Sequence, residues 1–516
     1  MNAIPLLHDH LIEAARRLPS KVALVCDGRR IAYGELDRWS NALAHALRRG
    51  GVGRGDRVIV YGENSVEVAV AFWAVLKADA VVSVVNPLTR ADKLAYLIRD
   101  CAAAAVVFDR RLGSQLVPAA RGAGLRAIVA FGEGSDPGLR ELPNVSDLAG
   151  ILAEGPFDAP PPRRGIDVDL AALVYTSGST GEPKGVMLTH RNMWTAAASI
   201  SAYLQLREDD VVLGAIPLAF DYGLYQMIMA FRAGARLVLE RSFAFPAEVL
   251  DRVVAEKVTG FPGVPTMFAM LADMKTLGAY DFSAIRFVTN TAAALPVKHI
   301  TMLQGIFPKA RIYSMYGLTE CKRCTYLPPE DLARKPTSVG IAIPNTELWI
   351  VDEEGKRVGP DVVGQLVIRG ATVMRGYWGK PEQTARKLRP GPLPGETVLY
   401  TGDLCRLDEE GYLYFVGRMD DIIKSRGEKV APKEVENALV DIAGVKEAAV
   451  IGVPDEILGQ AVKAFVVCET GVTLSEREVR RECEKRLESF MVPRQIVFVP
   501  ELPRTDTGKV KKTSLS

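Results

Sequence analysis

Between Tyr33 and Phe108 short unbroken apolar runs alternate with stretches whose apolar residues recur at helical spacing. Leu36, Trp39, Leu43, Ala46 and Leu47 fall on one side of a helix over Tyr33–Arg49, which Gly50-Gly51-Val52-Gly53 ends. Arg57–Tyr61 then reads as a buried strand, 69–77 as a helix, 80–85 as a strand, 92–100 as a helix and 103–108 as a strand. A continuous apolar run fits a strand covered on both faces. Strands of that kind separated by helices predict an α/β fold, with mostly parallel sheets flanked by helices.

The alternation pauses at 131–168, rich in Gly, Pro and Asp and including Pro160-Pro-Pro162, which reads as a loop-rich surface excursion. It then resumes. From about Gly417 the elements shorten and charges become dense, which suits a small α+β unit following a large one. A hydrophobic fraction of 48% and a charged fraction of 24% are those of an ordinary globular protein. A formal net charge of +2 gives no electrostatic case for nucleic acid or an anionic membrane surface. Residues 1–20 lack the uninterrupted apolar core of a signal peptide, and 66–85 is interrupted by Glu67, Lys77 and Asp79, so no membrane span is expected. The seven cysteines are scattered, as free thiols in a reducing compartment would be, and the expected location is cytoplasmic.

The most chemical segment follows the apolar strand 170–175. It reads Thr176-Ser177-Gly178-Ser179-Thr180-Gly181-Glu182-Pro183-Lys184-Gly185. Glycines let backbone N–H groups converge on an anion, hydroxyls add donors, and a lysine adds a compact mobile charge. The loop is therefore a phosphate cradle. Its spacing is not that of the kinase and GTPase P-loop.

This decapeptide resembles the phosphate loop of the adenylate-forming superfamily, which comprises acyl-CoA and aryl-CoA ligases, amino-acid adenylation domains and luciferases. Further segments resemble the family's motifs in the same order. They are Asn290-Thr-Ala-Ala-Ala-Leu295, Tyr316-Gly-Leu-Thr-Glu320, Tyr400-Thr-Gly-Asp403, the run 417–427 and Pro503-Arg-Thr-Asp-Thr-Gly-Lys509. Tyr33-Gly-Glu-Leu and the 51–57 run extend the likeness to the N-terminal part. The small-residue segment departs from the pattern at Thr291 and Ala294, where the family has Gly and Pro.

The resemblance implies a large domain over 1–417 and a mobile lid over 418–516, hinged near Asp420. It implies ATP and Mg²⁺ as requirements, with Thr176, Ser177, Gly178, Ser179, Thr180, Gly181 and Lys184 on the phosphates. Ala292, Ala293 and Tyr316 would line the adenine, and Asp403 would take the ribose hydroxyls. Arg418 and Lys424 would lie near the nucleotide, and Thr180 and Glu320 would hold the metal. Thr319, Glu320 and Lys509 would serve catalysis. The reaction implied is attack of a carboxylate on the α-phosphate, giving acyl-AMP and pyrophosphate, then transfer to a thiol of CoA or phosphopantetheine. The acceptor is CoA or, alternatively, a carrier protein acting in trans.

The acid is read near Phe220, Asp221, Gly317 and Cys321. Phe220-Asp221 is similar to adenylation domains in which the Asp binds an α-ammonium, whereas a structural role for Asp221 would pair it with a neighbouring base. Lys322 and Arg323 either meet a second acidic group of the substrate or face solvent, solvent being the plainer expectation. Cys321-x-x-Cys324 is one pair without further clustered ligands and reads as non-metal.

Overall fold

The computed structural model describes residues 5–134, 137–154, 157–177, 182–291, 297–425, 428–455, 459–505 and 508–516. Its first elements follow the apolar pattern closely. A helix spans Tyr33–Arg49, a strand Arg57–Tyr61, a helix Val66–Lys77, a strand Val81–Val85, a helix Ala91–Asp100 and a strand Ala103–Asp109. The strands Arg57–Tyr61, Val81–Val85 and Ala103–Asp109 pair in parallel, with Val58 facing both Val82 and Ala105.

That sheet has eight strands, with the antiparallel strands Leu170–Ser177, Pro183–Thr189 and, at the edge, Gly376–Tyr377 on one side. Alternate residues of Arg57–Tyr61 enter different cores: Val58 and Val60 join the largest cluster, Ile59 and Tyr61 a second one. This is why the strand has no polar face. A nine-stranded sheet, also mainly parallel, shares the largest cluster through Val25, Val212, Leu237 and Val288. Helix Val66–Lys77, buried at every residue but Glu67, belongs to this shared core, as does Asp221–Ala233. A helix apolar all round needs such surroundings. Its one buried cation, Lys77, is held by Asp37 Oδ1 at 2.6 Å, Ser40 Oγ at 2.7 Å and Asn41 Oδ1 at 2.8 Å.

Two smaller sheets follow. One is built on Thr346–Val351, Gly364–Gly370 and Thr397–Leu407. The other is built on Ile423–Ser425, Val445–Asp455 and Gly459–Cys468, with its own core of Ile423, Val435, Leu439, Val450 and Val462. The fold is therefore a large unit of mixed and parallel sheets flanked by helices, followed by a small α+β unit. The stretch 131–168 is less irregular than its composition suggests. It contains the turn Pro137–Glu141, the edge strand Val145–Asp147, which pairs in parallel with Ala127–Phe131, and helix Leu148–Ala153. An edge strand of three residues with only Val145 half-buried leaves no alternation to read.

The hairpin carrying the phosphate loop is anchored by histidines. Strand Pro183–Thr189 runs into helix His190–Leu204, whose first turn Thr189 and Asn192 close with reciprocal side-chain bonds. His190 Nδ1 accepts from Leu7 N at 3.2 Å, His8 packs edge-on to His190, and His10 stacks on Trp194. Burial lowers all three imidazoles, His190 to about 4 and His10 to about 3.

The unfolded chain takes up these protons near pH 6.5, the folded chain only near pH 4 and below. The unfolded state therefore binds more protons in that window, and stability falls as pH drops. We expect a loss of about 1.5 kcal/mol for each of His10 and His190 between pH 6.5 and 5. His190→Asn, which keeps an acceptor for Leu7, should make that slope shallower. Urea midpoints at pH 7.5 and 5 test this; an unchanged slope in His190→Asn would contradict it.

Candidate active site

The site lies at the carboxyl ends of parallel strands, where side chains from several loops converge. Strand Leu170–Ser177 delivers Thr176 and Ser177, and the returning strand sets Lys184 opposite Thr176. Lys184 Nζ lies 5.6 Å from the centre of the Tyr377 ring. Gly178, Ser179, Thr180 and Gly181, and likewise Ala292 and Ala293, lie outside the described residues.

Strand Arg311–Leu318 pairs in parallel with Phe287–Asn290 and returns antiparallel through Lys322–Tyr326. Tyr316 and Gly317 are thus part of the strand, and Thr319 and Glu320 form the turn after it. The Tyr316 hydroxyl donates to Asp403 Oδ2. Asp403 is 1% exposed. Its Oδ1 lies 3.0 Å from Arg418 Nε without an aligned hydrogen bond, and so retains acceptor capacity. Burial raises the Asp403 pKa, opposed by Arg418, Tyr316 and Lys387. Asp403 and Arg418 are cross-strand partners in Thr397–Leu407 and Leu413–Arg418, which fixes their spacing.

Glu320 accepts from the Tyr377 hydroxyl at 2.7 Å, and its backbone carbonyl accepts from Met374 N at 2.7 Å. One oriented carboxylate suits a magnesium ion that takes its other oxygens from nucleotide phosphates and water. Among the described residues no group of three or more His, Cys, Asp or Glu side chains forms a metal cage by itself.

Lys509 comes from the far end of the chain. A tight hairpin carries it, with Thr505 N bonded to Lys509 O at 2.7 Å and Gly508 N to Thr505 O at 2.8 Å. Gly508, at φ +79°, sits where an added Cβ would come within 3.5 Å of the Thr266 hydroxyl, so the hairpin rests on helix Pro265–Ala272. Lys509 remains exposed as a residue, yet its ammonium is crowded by protein. This desolvation, reinforced by Arg418, lowers its pKa against the pull of Asp403 and Glu320. Asp420 is exposed in the single turn Met419–Asp421 that joins the last two sheets. The backbone of Lys424 lies in strand Ile423–Ser425, while its side chain lies outside what is described.

On the acid side Phe220 precedes helix Asp221–Ala233 and packs on the main core. Asp221 is already engaged, by Lys322 Nζ and by Arg323 Nη1 at 3.3 Å. Lys322 and Arg323 do not face solvent; their side chains are 0% and 3% exposed. Arg323 pairs with Gly317 across the hairpin, and Lys322, at φ +65°, departs from strand alternation, so that both bases turn inward over Tyr225 and Tyr222. Any Cβ on Gly317 would overlap the Lys322 carbonyl oxygen, so glycine is required there. Cys321 and Cys324 are buried thiols with sulfurs 3.1 Å apart, and burial holds the Cys321 thiol well above its usual pKa, a poor nucleophile.

Two neighbours are invisible to motif reading. Tyr377 holds Glu320, and Lys387, donating to Thr401 O at 2.6 Å, lies within the field of Asp403, Glu320 and Asp420. Both act through contacts with residues distant in sequence. Only the run Arg375-Gly-Tyr-Trp-Gly379, aromatic between two glycines, hints at the first.

A two-part α/β fold with the 170–189 hairpin, the buried carboxylate of Asp403 and a lysine carried by the small unit is the arrangement the motif resemblance implies. The AMP-binding enzyme family matches residues 11–378 and the AMP-binding enzyme C-terminal domain matches 434–509. A long-chain-fatty-acid–CoA ligase of Bacillus subtilis is 31% identical over 99% of this chain and 94% of its own length. ATP-bound MatB from Rhodopseudomonas palustris superposes with a TM-score of 0.88 at 29% identity, covering 98% of each chain. An anthranilate CoA ligase in complex with anthranoyl-AMP does so with a TM-score of 0.90 at 27% identity, covering 100% of this chain and 97% of that one. The chain belongs to the AMP-binding enzyme family of the adenylate-forming superfamily, and is an ATP-dependent, AMP-forming acid–thiol ligase.

Proposed function

We propose that a carboxylic acid is activated here in a site completed by Lys509, and that the acyl group then passes to the thiol of CoA. A carboxylate oxygen attacks the α-phosphorus of ATP, the bond to the β-phosphate bridging oxygen breaks, and pyrophosphate leaves. The thiolate of CoA then attacks the acyl carbon and AMP leaves with the phosphate oxygen. Charge accumulates around the α-phosphate in the first step, so positioning and neutralisation do most of the work.

The observation that supports this reading is that the hairpin carrying Lys509 rests against helix Pro265–Ala272 of the large unit, with the lysine in the field of Arg418, Asp403 and Glu320. In our reading Lys509 bridges the acid and the α-phosphate. Thr176, Ser177 and Lys184 hold the outer phosphates, Thr319 the α-phosphate, and Tyr316 flanks the adenine. The free acceptor on Asp403 takes the ribose. Glu320, aimed by Tyr377, would hold Mg²⁺, which supplies neutralisation of phosphate charge when bound. The unit 418–516 would swing about Asp420 between the two half-reactions.

The amino-acid alternative fares worse, because the Asp221 carboxylate is spent on Lys322 and Arg323 rather than offered to an ammonium. No helix among the described residues is long and apolar enough to cross a membrane. The cysteines are free thiols, which suits work in the reducing cytoplasm.

ATP–pyrophosphate exchange over a panel of fatty, aryl, dicarboxylic and amino acids, followed by CoA thioester formation, is the direct test. Failure of every acid to support exchange would refute the reading. Tyr377→Phe frees the Glu320 carboxylate to rotate, and loss of such a supporting bond typically costs about 10–100-fold in activity or metal affinity. We expect that loss in exchange rate together with a raised Mg²⁺ requirement. A Mg²⁺ titration identical to wild type would contradict it.

A further inference from the structure

Two cations and one carboxylate meet beneath the strand pair 311–318 and 322–326. Asp221 binds Lys322 and a single nitrogen of Arg323, Nη1. The other edge of the guanidinium, Nε and Nη2, has no hydrogen-bond partner although the side chain is 3% exposed. That edge is the one an arginine presents side-on to a carboxylate. Elsewhere in this chain it does so: Arg54 Nε and Nη2 each donate to one oxygen of Asp169 at 2.8 Å.

An unpaired buried donor is costly, and a buried net positive charge more so. Buried polar groups that stay unmatched mark a site where a ligand completes the set. The Arg323 guanidinium carbon lies 4.5 Å from the centre of the Tyr222 ring, and the Tyr222 hydroxyl is itself tied to Thr289 O at 2.9 Å and Oγ1 at 2.7 Å. The fork is therefore rigid rather than free to seek another partner.

Its location is the acid's. Arg323 is the cross-strand partner of Gly317, one residue from Tyr316 and three from Glu320.

We propose that the acid activated by this enzyme carries a second anionic group, a carboxylate, received side-on by Nε and Nη2 of Arg323. Lys322 neutralises Asp221, so that Arg323 keeps its charge for the ligand. The inference rests on the acid-activating reading above and adds to it the class of substrate.

The test is exchange kinetics with dicarboxylates of three to six carbons, their monomethyl esters, and unsubstituted alkanoates of equal length. A site built around a buried fork rejects the analogue lacking its partner by roughly 10⁴–10⁵-fold at best. We expect a preference of at least about 10²-fold in kcat/KM for a dicarboxylate over its monoester. Arg323→Gln, assayed at saturating ATP, should erase that preference. The wild-type comparison needs no variant, so misfolding of Arg323→Gln does not blunt it. Equal use of monoester or alkanoate and dicarboxylate by the wild type would overturn this inference and leave the ligase reading standing. Exchange with no acid at all would overturn both.

Discussion

Lys509→Ala is expected to lower ATP–pyrophosphate exchange by about 10²–10³-fold, the cost of removing one oriented donor from a developing charge. Thioester formation from supplied acyl-AMP should remain near wild type. The asymmetry follows from geometry. Lys509 enters on the 504–510 hairpin and reaches the site from the small unit, next to Asp403 and Glu320. Once the adenylate exists, nothing in the second half needs a cation at that point. The fold should be indifferent to the change, because Lys509 is exposed as a residue and belongs to none of the hydrophobic clusters. Measuring the two half-reactions separately on one preparation decides the matter. Equal loss in both would mean that the lysine serves the site in one conformation only.

Asp221→Ala is expected to cost about 3–5 kcal/mol of stability, because it strands Lys322 and Arg323 as buried cations without a counter-charge. The urea midpoint should fall at unchanged slope. Adding Lys322→Met and Arg323→Met to Asp221→Ala should recover most of the loss, since a neutral packed cluster of similar volume is often no less stable than the ion pair. A carboxylate reserved for a substrate ammonium would behave oppositely. Its removal would leave the midpoint unmoved and abolish amino-acid-dependent exchange. An unmoved midpoint in Asp221→Ala would therefore reinstate the amine reading.

Much of this was legible before any coordinates. Helix Tyr33–Arg49 and strand Arg57–Tyr61 have the bounds their apolar pattern predicts, because each lies over or within a sheet buried on both faces. Motif resemblance points to Tyr316 and Asp403 as parts of one site, and a hydrogen bond joins them across 87 residues of sequence. Other features were not legible. Lys322 and Arg323 read as solvated charges because burial of a base is decided by cross-strand register and by Asp221 a hundred residues earlier. Tyr377 and Lys387 belong to no motif, and their value lies in a hydrogen bond to Glu320 and a field at Asp403. Strand Val145–Asp147 was lost in a glycine- and proline-rich stretch because an edge strand so short carries no periodicity.

The hairpin 311–326 has a bearing on how enzymes of this kind diversify. Tyr316 on one strand and Arg323 on the other share a register, with a shift between Tyr316 and Gly317 and Lys322 held at φ +65°. On the roles proposed above, the residue that discriminates between acids and the residue that grips the nucleotide are mechanically one piece. A lineage adapting to a new acid by altering 321–324 would strain its hold on ATP at the same stroke. Directed-evolution libraries at these positions should accordingly be screened at saturating nucleotide, or variants with useful new selectivity will be discarded for a defect that a compensating change on the 311–318 strand can repair.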